Sequence, residues 1–329
     1  MTTAALDGTT LEKLISAAVA APSIHNTQPW RYRLDPDTTT VEVRAAVDRG
    51  LRHADPAGRA VHISVGAAVF NLRVAVAHFG WEPVVRLLPR SAEPDFLAAV
   101  RLAGPKTGAT PLRQDLYDAV WRRHSSRVPF SDRPVPAAVL AEITEAAGTE
   151  GARLTLPGPS EAARILQITT EAERFSVADP HRGAESRSWI RDAAPDGLPH
   201  TVLGPLDSTG RIPVRDFSAL SPDDHQPPAD FERHPTIAVL STRHDTRADW
   251  LRAGLALEHA LLVATAHGVR ASLMSQALEW PELRWALRDP RGGHAQVQML
   301  IRLGYGPEGP ASPRRPVRDV LEAGAGRQR

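Results

Sequence analysis

Ser23, His25, Asn26 and Gln28 share one short turn, bracketed by Pro22 and Pro29, in the run Ala21-Pro22-Ser23-Ile24-His25-Asn26-Thr27-Gln28-Pro29-Trp30. A hydroxyl, an imidazole and two amides offer donors and acceptors together. Proline fixes its own φ and disfavours helix in the residue before it, so the turn is stiff. A stiff turn can aim these groups at one target, and a flat heterocycle rich in donors and acceptors suits them. The competing reading is a polar helix-to-strand loop with a core tryptophan.

Trp121-Arg122-Arg123-His124-Ser125-Ser126-Arg127 gathers three guanidiniums and two hydroxyls. Arginine presents planar, permanently charged donor forks that match phosphate oxygens. Basic residues also complement the dipole at a helix C-terminus, which is the alternative for this run. A third basic group, Pro313-Arg314-Arg315-Pro316-Val317-Arg318, follows a strand expected over 297–303; Arg318 reads equally as a solvated tail. Met274, Ser275 and Gln276 form a polar connection between a strand and a helix, and a plain connection would look the same.

Other chemistries find no support. The chain has no cysteine, which removes disulfides, thiolate metal sites and thiol nucleophiles. His53, His62 and His78 lack acidic companions at ligand spacing, and Glu258, His259 and His267 form no His-Glu-x-x-His motif. No Gly-x-Ser-x-Gly elbow occurs. Gly304-x-Gly306-x-x-Gly309 matches a dinucleotide fingerprint as a string, but Pro310, Pro313 and Pro316 follow where that fingerprint needs a helix.

The elements that must position these groups look duplicated. A helix over 11–21 leads to a strand from Trp30 to Leu34, and a helix over 138–147 leads to a strand over 152–156. An apolar helix runs from Gly66 to Gly80, and another of similar pattern from Gly254 to Gly268. Both are apolar nearly all round, as central buried helices are, and a closing glycine suits the left-handed C′ position. Asp55, ahead of the first, reads as a helix cap. The second half carries an excess over about 182–231, rich in Pro, Gly, Asp and Arg. Long loops of this kind are lids, binding loops or disordered segments; a lid over a bound cofactor is the favoured expectation, with a solvated surface loop as its rival.

The 329 residues are 42% hydrophobic and 23% charged, with a net charge of +1. That balance is globular and gives no field to attract nucleic acid or an anionic membrane. Lys13 and Lys106 are the only lysines, a bias that reads as codon drift in a GC-rich genome. No apolar run long enough to cross a bilayer and no signal-peptide pattern is read, so a cytoplasmic location is expected.

Taken together, the turn at 22–30, the Arg-x-Ser-x-Arg pattern at 123–127 and the basic pair near 314 resemble the nitroreductase-like FMN flavoproteins, and most closely their single-chain Acg-type branch. The resemblance implies an α+β fold with sheets packed between helices. It implies two degenerate halves, 1–112 and 113–329, forming an intramolecular pseudo-dimer, with further dimerisation left open. It further implies one non-covalent FMN per chain, because the polar turn occurs only in the first half and the Arg-Ser run only in the second. Pro22, Ser23, His25, Asn26 and Gln28 would approach the ring or ribityl chain. Arg122, Arg123, Ser125 and Arg127, with Arg314 or Arg315, would hold the phosphate. Met274, Ser275 and Gln276 would pass the ring edge near N5, although the family's Pro-x-Glu-Gly is missing there. The implied activity is ping-pong electron transfer from NAD(P)H to a nitroaromatic, quinone or related acceptor. A lidded FMN store with little turnover, or an enzyme specialised for one endogenous substrate, are the alternatives. No separate catalytic residue is assigned.

Overall fold

The computed structural model describes residues 6–104, 115–217, 226–288 and 295–322. The first part comprises α1 (Gly8–Val19), β1 (Trp30–Asp35), β2 (Thr40–Ala45), α2 (Arg59–His78), β3 (Glu82–Leu87) and β4 (Phe96–Ala103). Next come α3 (Asp115–Arg122), α4 (Ala137–Thr149), β5 (Arg153–Thr155), α5 (Pro159–Ala178), α6 (Pro180–Ser188), β6 (Leu206–Asp207) and β7 (Pro228–Ala229). The last part holds β8 (Thr236–Thr242), α7 (Arg247–Ala266), β9 (Arg270–Met274), α8 (Pro281–Ala286), β10 (Gln296–Gly304) and β11 (Leu321–Glu322). The fold is α+β.

Two sheets are built on one plan. Their strand orders are β11-β1-β2-β4-β3 and β5-β8-β10-β9. Leaving β11 aside, each runs first, second, fourth, third, and in each a 20-residue helix joins the second strand to the third. All pairings within this shared pattern are antiparallel. The exception is β11, which returns from the far end of the chain to lie parallel to β1, Tyr32 opposite Leu321.

The two long helices meet at their glycines. A Cβ on Gly66 would fall 2.2 Å from the Leu251 carbonyl oxygen, and one on Gly254 would fall 2.1 Å from that of Ile63. Neither position has room for a side chain, so the backbones touch. Both helices therefore begin earlier than the apolar pattern suggests: at Arg59 and Arg247, with Gly66 and Gly254 the same distance inside. The closing glycines behave as expected, with Gly80 at φ 91° and Gly268 at φ 71° just past the helix ends. Asp55 is not the N-cap of α2. Gly58 holds that position, and the Asp55 carboxylate instead accepts from the Val61 N–H at 3.0 Å. By length and composition α2 is apolar enough to cross a membrane, contrary to the sequence expectation, but it is largely buried within the protein. One apolar core runs through both parts, from Leu14, Val43 and Phe70 to Leu240 and Leu262.

The excess over about 182–231 contributes several elements among its described residues; residues 218–225 lie outside the described set. It holds most of α6, a 3-10 turn at His200–Val202 and the two-residue pair β6–β7. It reaches across to the first part. Glu185 on α6 accepts from the backbone N–H groups of His53 and Ala54, and Trp189 packs on Leu51 and Ala54. At its far end Glu232 makes a two-oxygen pair with Arg302, at 2.6 and 2.8 Å.

Candidate functional site

One cleft draws its walls from several separate stretches of chain. Pro22, Ser23 and His25 come from the polar turn; Ser125, Ser126 and Arg127 from the segment after α3; Met274, Ser275 and Gln276 from the end of β9; and Ile212–Phe217 from the insertion. Residues near the start of α2, Asp55 and Arg59 among them, complete it.

The turn is held in a conformation that non-glycine residues seldom take. His25, Asn26 and Gln28 have φ of 47°, 53° and 49°. Such left-handed residues cost energy and persist only where the surroundings enforce them. Their side chains then diverge. His25 is buried at the cleft wall, edge-on to Phe217 at 5.7 Å, and neither ring nitrogen has a hydrogen-bond partner. Burial, reinforced by the positive charges of Arg215 and Arg127, holds its pKa well below the ordinary histidine value. The ring is neutral at pH 7, with one nitrogen to donate and one to accept.

Asn26 and Gln28 turn away from the cleft. The Asn26 amide donates to the carbonyls of Gly197 (2.8 Å) and Pro313 (2.9 Å) and accepts from Arg314 Nη1 (3.0 Å). The Gln28 amide donates to Pro195 O (3.0 Å) and accepts from the Arg315 backbone N–H (2.8 Å). Ser23 Oγ accepts from the Gln28 backbone N–H, bracing the turn from inside.

The arginines also separate. Arg122 ends α3 on the exposed side and does not line the cleft. Arg123 points inward: its guanidinium donates to Ala20 O at 2.9 Å and lies 3.3 Å from the Glu258 carboxylate. Arg314 donates to the same carbonyl at 3.1 Å. Two guanidiniums thus share one acceptor, with a single buried carboxyl nearby. Burial lifts that carboxyl to about 7 and lowers Arg314 to about 9. Arg315 donates outward to Asp319 O.

Arg127 donates to Val202 O at 3.2 Å and has no carboxylate partner among the described residues. Burial pulls it down to about 10, with the Arg215 charge adding to the effect. Beside it the Ser126 hydroxyl is buried and unpartnered. A parallel bridge between Ser125 and Ala271 fixes this segment to β9.

Several wall residues were not singled out from the sequence. Arg215 enters from the insertion and pairs with Glu279 at 2.5 Å, within reach of Ser275. Gln276 donates to Pro213 O at 2.9 Å. The available signal was the apolar island Ile212-Pro213-Val214-Arg215-Asp216-Phe217 inside an otherwise polar stretch. Arg59 and Arg302 gave a different one: charges inside runs that otherwise read as buried.

With this geometry in view, comparison with known proteins gives the class. The chain belongs to the Nitroreductase family, whose model matches residues 120–305. A Mycobacterium tuberculosis protein named "Putative NAD(P)H nitroreductase Rv3131" is 34% identical, over 96% of this chain and 92% of its own length. Another from that organism, named "Putative NAD(P)H nitroreductase acg", is 28% identical over 96% of each. Among solved structures, the FMN-dependent nitroreductase NfnB of Mycobacterium smegmatis in complex with NADPH overlays with a TM-score of 0.40 at 15% identity, over 64% of this chain and 98% of that one.

Proposed function

We propose that this chain is an FMN-dependent oxidoreductase of the nitroreductase type, taking electrons from NAD(P)H and passing them to a nitroaromatic, quinone or related acceptor. One observation carries the reading: both His25 nitrogens and Ser126 Oγ are buried at the cleft wall with no partner, beside the uncompensated Arg127. Buried polar atoms are nearly always hydrogen-bonded, so a wall that presents them suits a ligand with complementary donors, acceptors and negative charge. FMN has all three, and the family relationship points the same way.

When bound, the flavin would supply the two-electron chemistry, and the protein would orient it. His25, Ser126 and Arg127 would satisfy its polar edge. Of the guanidiniums in the Arg-Ser and C-terminal runs, Arg127 is the one in the cleft wall and would meet its phosphate; Arg123 and Arg314, drawn together at Ala20 O, lie outside that wall and would act on the phosphate through their charge. The backbone and side chains at 274–276 would flank the ring. The polar turn and the Arg-Ser segment each occur once, so one FMN per chain is expected, bound between a first half over 1–112 and a second over 113–329. The shared strand order supports reading these halves as an internal pseudo-dimer.

A storage role is the second reading, favoured by the insertion. Ile212–Phe217 form part of the cleft wall, with Arg215 tied to Glu279 and Phe217 against His25. A nicotinamide must stack on the ring, and this segment could deny it access. The visible spectrum of the purified protein, recorded anaerobically before and after NADPH or NADH, separates the readings. Rapid bleaching of a flavin spectrum supports the enzyme; a flavin that bleaches only with dithionite supports storage. A protein that neither carries nor takes up FMN overturns both.

A further inference from the structure

The side chains of Asn26 and Gln28 contact two remote parts of the chain at once. Through Asn26, Gly197 O of the insertion and Pro313 O and Arg314 of the C-terminal segment meet on a single amide. Through Gln28, Pro195 O and the Arg315 N–H do the same. The Gly197 N–H also donates to Asn26 O at 3.2 Å. Both Asn26 amide hydrogens are used, and both residues are buried and outside the cleft lining. Like His25, both hold a left-handed φ, so the course of the turn is set at three positions.

The contacts are also hard to shift one at a time. Gly197 sits at φ 73°, and a Cβ there would lie 2.5 Å from Trp189 O, so this stretch of the insertion packs its backbone closely on itself. Arg49 braces it from the first part, pairing with Asp196 and donating to Thr27 O at 2.6 Å. On the other side Arg314 is anchored at Ala20 O and through Asn26.

We propose that Asn26 and Gln28 are positioning residues, not flavin ligands: they couple seating of the insertion around Pro195 and Gly197 to seating of the C-terminal segment around Pro313 to Arg315. The coupling itself does not depend on the flavin reading.

Native-state hydrogen exchange on the flavin-free protein tests it. Arg314→Ala is expected to speed exchange across 189–204, to which Arg314 makes no hydrogen bond among the described residues. Gly197→Ala is expected to speed exchange across 312–322. Each cross-effect should fall in the range of roughly 5–150-fold that coupling between sites spans. Amides of α7 serve as the reference for global opening and should be unchanged. In an Asn26→Ala/Gln28→Ala background both cross-effects should vanish. If each substitution loosens only its own segment, or if the cross-effects survive without the two amides, the coupling is refuted. A loss of FMN affinity in Asn26→Ala with unaltered exchange in both segments would refute it as well, and would make Asn26 a direct ligand. Failure of the protein to bind FMN leaves the exchange result intact and bears only on the flavin reading.

Discussion

At the scale of the residue, neighbours in sequence part company in space. His25 and Asn26 are adjacent, yet one faces the cleft and the other leaves it; Arg122 is exposed and Arg123 buried. Arg127→Ala should weaken FMN binding by about 1.5–3 kcal/mol, the range for a hydrogen bond to a charged group, while Arg122→Ala should leave it unchanged. Fluorescence titration with FMN reads both. Glu258 makes a separate prediction. Burial raises its carboxyl from 4.5 to about 7, so the folded chain holds this proton more tightly than the unfolded one. That contribution to stability is complete below pH 4.5 and is lost as pH rises to about 7. Histidines depressed by burial, such as His25 and His62, act in the opposite direction, but both proteins share them. The difference in melting temperature between wild type and Glu258→Gln should therefore shift in favour of the variant from pH 5 to pH 8; a difference constant with pH would remove Glu258 from this role.

At the scale of the element, the glycines of α2 have distinct duties. Gly66→Ala would force a Cβ into the Leu251 carbonyl and should cost at least the 1–3 kcal/mol typical of overpacking. Gly80→Ala meets no atom within 4 Å but keeps a left-handed φ, so a cost of about 1–2 kcal/mol is expected. Urea unfolding measures each, and the reverse ranking would refute a backbone contact at Gly66. The existence of α2 and α7 and their glycine endings were legible from apolar patterning and C′ chemistry. Their true starts were not, because Arg59 and His62 are polar yet buried, the reverse of what polarity suggests. The polar turn and the Arg-Ser run stood out for a different reason, their clustered donors and acceptors, and the structure brings Ser23, His25, Ser125, Ser126 and Arg127 to one cleft wall. The partners of Asn26 were invisible: Gly197 lies 171 positions away, and no local rule links an amide to a carbonyl at that distance.

At the scale of the whole molecule, the repeated strand order and the single copy of each cleft-forming motif lead to a stoichiometric prediction. Flavin absorbance against protein concentration should give one FMN per chain after saturation; two would mean that a second cleft binds despite lacking both motifs. The insertion predicts a further effect. Arg215→Ala removes the pair with Glu279 inside the cleft. If the insertion limits nicotinamide access, anaerobic bleaching by NADPH should be faster in this variant by about tenfold or more, the equivalent of about 1.4 kcal/mol. An unchanged rate would show that this contact does not gate the ring.

The hydrogen bond between Asn26 and Arg314 spans 288 positions, and Tyr32 waits as long for Leu321 to complete the edge of its sheet. On a ribosome adding roughly 5–20 residues per second, that separation corresponds to roughly 15–60 s. Throughout that interval the turn exists without the segment that fastens it, and the side of β1 that β11 will cover is bare. The left-handed conformation of the turn is thus fastened late, only once the segment carrying Arg314 and Arg315 has been made.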